Sequence, residues 1–223
     1  MWPDGSVGMI WVSYAEIMPL REQGNFEYGM RLVNERRRAK VLRCKSESDQ
    51  CRTLAAGLLL KRALENAGID YETAVFEERE GGKPSLVMPD APFFNLSHGA
   101  ELAACVLADQ PVGIDVEQIV RFEEKRRWDR VARRAFSQDE LLTVSGGTNP
   151  AEQFARIWTR KESYAKAVGK GLGMEFKQID TLQDAIFETR ELIPGYQCSI
   201  CCPAEKNGKW KEEIDIQEVL YAR

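Results

Sequence analysis

The chain reads as an α+β protein built mainly on antiparallel sheets. Three observations predict this. Short apolar, β-branched runs of strand length recur in both halves, each half carries one or two main helices with recognisable caps, and no residue-level repeat or low-complexity linker interrupts them. At 223 residues there is room for one large domain or two of about 110 residues. The expected division is an N-terminal half over 1–111 and a C-terminal half over 112–223, similarly built and meeting near residue 111.

In chain order, Val7 to Tyr14 is apolar and β-branched enough for a strand. A polar, arginine-rich helix is expected from about Asn25 to Arg43. Ser46 or Ser48 caps a second helix through Leu54, Leu58, Leu59 and Leu64, which Gly68 ends. Thr73 to Phe76 reads as a short strand and Gly81-Gly82-Lys83-Pro84 as a turn. Glu101 to Leu107 is an apolar strand. Asp109-Gln110-Pro111 then turns the chain into the strand of Val112 to Glu117, an expected antiparallel hairpin.

Further on, Arg121 to Ala135 reads as a charged helix, and Ser137 with Glu140 as a capping box. Asn149-Pro150-Ala151-Glu152 supplies a cap, a proline at the first helical position and an early acid, so a helix starts here and runs to Gly169. Short strands are expected around Lys177 to Thr181, Ala185 to Thr189, Tyr196 to Cys202 and Ile214 to Leu220.

Composition narrows the function. The formal net charge is −4, which argues against nucleic-acid binding by electrostatics. No apolar stretch approaches membrane-spanning length, and the N-terminus lacks a basic start with an apolar core, so neither a membrane span nor a signal peptide is expected. Beyond Cys198 and Cys201 the six cysteines form no second C-x-x-C unit to pair with the first, and there is a single histidine, His98, which argues against structural zinc and for a reduced, cytoplasmic protein. Against the acidic background, Arg31, Arg36, Arg37, Arg38, Lys40, Arg43 and Lys45 cluster, which suggests a local anionic ligand.

Two segments carry the chemistry. In Gly113-Ile114-Asp115-Val116-Glu117 the pleat sets Asp115 and Glu117 on one face, beside a glycine that admits close approach to the backbone. Carboxylates held together repel unless a cation neutralises them, and all-oxygen donors suit Mg²⁺ or Mn²⁺ better than zinc. Trp158, Glu162 and Lys166 fall on one helical stripe at four-residue spacing. On a partly covered stripe Glu162 could ligate metal or act as a base, and Lys166 could neutralise phosphate. Ser97-His98 and the turn residue Lys83 could each donate to an anion.

Taken in order, Gly-Lys-Pro at 82–84, Phe94-Asn95-Leu96-Ser97-His98, Gly113-Ile114-Asp115-Val116-Glu117 and Trp158-Thr159-Arg160-Lys161-Glu162-Ser163-Tyr164-Ala165-Lys166, followed by Gly169-Lys170-Gly171-Leu172, resemble the 4′-phosphopantetheinyl transferases, most of all the surfactin-type subgroup. The resemblance implies a monomer of two similar α+β halves about a pseudo-twofold axis, with coenzyme A and metal between them. It implies transfer of the phosphopantetheine arm to a serine of an apo acyl or peptidyl carrier protein, with release of adenosine 3′,5′-bisphosphate. It places Mg²⁺ on Asp115, Glu117 and Glu162, with Glu162 as base and Lys166 on the leaving phosphate. It places Lys83, Ser97, His98 and Lys166 on the coenzyme's phosphates, and Arg37, Lys40 and Arg52 around the 3′-phosphate. Gly99 departs from the serine that often follows the Ser-His pair. The basic residues from Arg121 to Arg134 are candidates for docking an acidic carrier.

Two other readings use the same residues. One is a Mg²⁺-dependent phosphohydrolase acting on a small pyrophosphate with water as nucleophile. The other is a module that binds coenzyme A or a carrier protein without turnover.

Overall fold

The computed structural model describes residues 10–78, 82–169, 174–183, 185–203, 216 and 220. The chain divides into two units: residues 1–77, 84–110 and 207–223 form one, and residues 78–83 and 111–206 the other. The last segment thus groups with the first unit, where Ile216 and Leu220 join the core.

In the first unit a three-stranded antiparallel sheet has the order β1-β5-β4, with β1 at Ile10–Glu16, β4 at Phe93–Gly99 and β5 at Leu102–Ala108. Every residue of the central strand β5 is buried. Helix α3, Glu47–Asn66, packs its leucines on this sheet. Ser46 is the residue that caps it, accepting from the Asp49 backbone N–H, and Gly68 follows its end with a positive φ. A two-stranded ribbon joins β2, Phe76–Glu78, to β3, Pro84–Leu86. The strand expected at 73–76 therefore lies a few residues later, and the proline of the turn opens its partner.

The arginine-rich segment is two helices, α1 at Asn25–Leu32 and α2 at Glu35–Leu42. Val33 is extended and fully buried, and Asn34 starts α2 by accepting from the Arg37 backbone N–H at 3.0 Å. Arg38 folds back and donates to the Val33 carbonyl at 2.7 Å, satisfying a group that the break exposes.

In the second unit the antiparallel sheet has the order β6-β8-β7, with β6 at Gly113–Gln118, β7 at Phe187–Glu191 and β8 at Tyr196–Cys201. The expected hairpin between β5 and β6 does not form: β5 pairs with β1 and β4, and β6 with β8, Asp115 standing opposite Ser199. In the described sheet β6 is a border strand, not a central one. The β5 arm finds its antiparallel partner in β4 through a tight turn at Ala100 and Glu101, where Ala100 adopts a φ of 46°.

Helices α4, Lys125–Ala135, α5, Gln138–Gly146, and α6, Pro150–Val168, complete this unit. The capping box of Ser137 and Glu140 and the Asn149 cap are present, and Gly169 ends α6 in the left-handed region. A short 3₁₀ turn at Ile119–Phe122 precedes α4. Trp128, Ala132, Phe136 and Phe154 form an aromatic-rich core beneath α4 and α6.

The strand expected at 177–181 is absent. That stretch begins as a 3₁₀ turn, Phe176–Gln178, and its carbonyls at Phe176, Ile179 and Thr181 accept from the side chains of Lys161 and Arg160. Backbone groups that a ladder would satisfy are met here by buried cations. Most of the strand expected over 214–220, and residues 170–172 of the last quoted motif, lie outside the described residues.

Candidate functional site

Glycine decides how closely α6 approaches β6. A Cβ added at Gly113 would lie 2.0 Å from the Ser163 carbonyl oxygen and 2.5 Å from the Ala167 backbone nitrogen. Only a residue without a side chain admits the helix here. Deeper along the seam, Thr159 shares a 2.7 Å hydrogen bond with Ser199 on β8, which in turn meets Thr189 at 3.0 Å.

This contact sets the Trp158, Glu162 and Lys166 stripe along β6, running antiparallel to it. Lys166 Nζ donates to Asp115 Oδ1 at 2.6 Å and to the Ile114 carbonyl at 3.1 Å. At the other end, the Trp158 side chain hydrogen-bonds the Glu117 carboxylate. Glu162 lies between them, within the field of Asp115. All three stripe residues are half-buried, so the site is partly covered and still reachable.

The electrostatics follow from this crowding. Burial, then the charge of Asp115, pushes the Glu117 carboxyl up to about 7, against the opposing pull of Arg121, Lys166 and the Trp158 hydrogen bond. Burial, then Asp115, also raises Glu162, with Lys166 opposing. A glutamate raised in this way is a better proton acceptor near neutrality than an ordinary carboxylate.

The three carboxylates are hard oxygen donors and suit Mg²⁺ or Mn²⁺ in kind. They are not gathered as a ready ligand set: among the described residues no three His, Cys, Asp or Glu side chains form such a cluster. The chain supplies its own cations instead, Lys166 to Asp115 and Arg121 to Glu117, the latter at 2.5 Å. Arg121, expected on a docking surface, thus reaches the site from the 3₁₀ turn that follows β6, and no spacing rule in the sequence links it to Glu117. The side chains of Lys125, Arg126 and Arg127 lie outside the description. Arg133 pairs with Asp129, and Arg130 and Arg134 are exposed.

Lys83 also belongs to this unit. Its Nζ donates to the Val112 carbonyl at 2.9 Å and to the Lys166 carbonyl at 2.6 Å, tying the start of β6 to the last turn of α6.

The other expected anion contacts lie in the first unit. Ser97 is buried and His98 exposed on β4. Arg52 donates to the Ala100 carbonyl at 2.8 Å and pairs with Asp49 at 2.6 Å, supporting the turn after His98. The Asp49 carboxyl is held below its ordinary value by hydrogen bonds from Ser46 and Arg52, with the charge of His98 a smaller contribution.

Arg37 differs from its expected place in a phosphate clamp. Its side chain lies over Gly57 on α3, where an added Cβ would meet its Cγ at 2.7 Å, and its guanidinium hydrogen-bonds Tyr71. Arg37 therefore faces the interior of its unit. Lys40 and Arg36 are the exposed cations of that helix, and Arg36 sits 5.9 Å from the Phe76 ring centroid.

Known proteins resemble the chain in sequence. A family model described as the 4'-phosphopantetheinyl transferase superfamily matches residues 111–210, the part that carries β6 and α6. A 4'-phosphopantetheinyl transferase of Bacillus subtilis is 31% identical over 173 residues, covering 75% of each chain. The chain belongs to the 4'-phosphopantetheinyl transferase superfamily. Two further relatives are 4'-phosphopantetheinyl transferase Sfp of Bacillus subtilis (strain 168), 27% identical over 202 residues covering 82% of this chain and 87% of that one, and 4'-phosphopantetheinyl transferase AcpT of Salmonella typhimurium, 32% identical over 155 residues covering 67% and 75%. Within the superfamily, Asp115, Glu117, Glu162 and Lys166 of this transferase form one connected group of charges.

Proposed function

We propose that this transferase moves the 4′-phosphopantetheine arm of coenzyme A to a serine of an apo acyl or peptidyl carrier protein, with Mg²⁺, or Mn²⁺ in its place, held by Asp115, Glu117 and Glu162. The observation that carries this reading is the meeting of β6 and α6, where Lys166 bonds Asp115 while Glu162, raised above its ordinary range, stands beside them. Bound there, the cation would neutralise charge on the diphosphate. Glu162 takes the proton of the carrier serine as its oxygen attacks the β-phosphorus. The bond from that phosphorus to the bridging oxygen breaks, and adenosine 3′,5′-bisphosphate leaves. Lys166 exchanges Asp115 for the departing phosphate and balances its new charge.

Lys83, Ser97 and His98 are assigned to the diphosphate, and Lys40 with Arg52 to the 3′-phosphate. We assign the reaction to a cytoplasmic monomer. No helix of the described residues is long and apolar enough to cross a membrane.

Incubation with coenzyme A, Mg²⁺ and a panel of apo carriers tests this by intact-protein mass. A gain of one phosphopantetheine arm is expected. Release of the bisphosphate without a carrier would favour a phosphohydrolase, and binding without any mass gain a non-catalytic module.

A further inference from the structure

Consecutive residues of α6 serve opposite sides. Glu162 lies in the field of Asp115, whereas Lys161, fully buried, reaches away into the 176–181 segment. Its Nζ donates to the carbonyls of Phe176 at 2.7 Å and Ile179 at 2.9 Å and pairs with Glu140 Oε2 at 2.9 Å. An ammonium has three donors, and all three are used. Glu140, itself 1% exposed, also accepts from the Ser137 backbone N–H at 2.7 Å and from the Thr181 hydroxyl at 2.5 Å. One buried ion pair therefore joins the start of α5, the middle of α6 and the loop beyond it.

Such a pair is a poor source of stability compared with apolar side chains of the same size, because both charges lose their water. Its directional bonds do define one rotation and one axial register for α6, which apolar packing leaves freer to slide. We infer that Lys161, with Glu140, is a positioning residue that places Glu162 and Lys166 opposite Asp115. Its part in catalysis rests on the role proposed for Glu162, but its hold on α6 does not.

The test compares Lys161→Met with the double variant Lys161→Met/Glu140→Gln. The single variant leaves a buried carboxylate without its cation and is expected to melt at a much lower temperature. The double variant removes both charges but leaves the Phe176 and Ile179 carbonyls without their donor, and is expected to fold and to melt between the single variant and wild type. In that folded protein, amide hydrogen exchange over 157–168 and 176–181 should accelerate at least about tenfold, with other regions unchanged. The kcat for carrier loading should fall about tenfold or more, with the KM for coenzyme A within about twofold, since small misplacements of reacting groups cost rate more than affinity. Wild-type exchange, an unchanged kcat, or a double variant that does not fold would each overturn the proposal. A wild-type protein that loads no carrier would instead refute the transferase reading, and the exchange measurement would still decide whether Lys161 holds the helix.

Discussion

Lys166 and Asp115 stand 51 residues apart in the chain and 2.6 Å apart in space. The pair joins a helix whose face carries Glu162 to a strand whose face carries Glu117. The acidic strand and the helical stripe are therefore one electrostatic object, and a change to any member alters the others.

Asp115→Ala and Glu162→Ala should each reduce carrier loading by at least about a hundredfold while leaving the fold intact. Loading is read by intact mass and folding by circular dichroism. Near wild-type loading by either variant would remove the basis for the assignment.

Gly113→Ala should be damaging although it adds one methyl group. Its Cβ would collide with the backbone of Ser163 and Ala167, which cannot rotate aside. A loss of about 1–3 kcal/mol in urea unfolding is expected, with carrier loading falling as α6 is pushed from β6. An unchanged urea midpoint would show that the helix can yield.

The pH response of the metal-free protein follows from Glu117. Its folded carboxyl titrates near 7, above its ordinary value of 4.5, so the folded state holds the proton more tightly. The stability it contributes is fully present below pH 4.5 and lost as pH rises through 7. Urea midpoints in chelator should fall over this window, and Glu117→Gln should flatten the fall. Mg²⁺ affinity, measured by calorimetry, should rise over the same range because the ligand must be ionised.

Arg37 and Lys40 should separate in their effects. Arg37→Ala empties the space over Gly57 and should lower the melting temperature. Lys40→Ala should leave melting unchanged and raise the KM for coenzyme A several-fold, but not that for 3′-dephospho-coenzyme A. Equal effects on both substrates would exclude Lys40 from the 3′-phosphate.

Local signals were legible wherever the cause is local. Asn149, Pro150 and Glu152 start a helix by their own chemistry, Ser137 and Glu140 close a capping box, and four-residue spacing puts Trp158, Glu162 and Lys166 on one face. Pairing partners were not. The strand after Pro111 follows an apolar arm closely enough to suggest a hairpin, yet its register is set by β8, more than 75 residues on. Nor does a run of arginines announce which one turns inward. The companion of Arg37 is a missing side chain, Gly57, on another helix. Nothing in the letters singled out Lys161, because its three acceptors come from Glu140 and from carbonyls that carry no letter of their own.

In the described sheet, β6 is a border strand; its Ile114 carbonyl and the Val112 carbonyl just before it accept from the ammonium groups of Lys166 and Lys83. A sheet margin with bare carbonyls invites strand addition by a second molecule, and lysine is a common guard against it. Loss of either lysine would thus unmask a template for self-association. Inactive preparations of such variants should first be checked for soluble aggregates by light scattering, before their inactivity is ascribed to the chemistry.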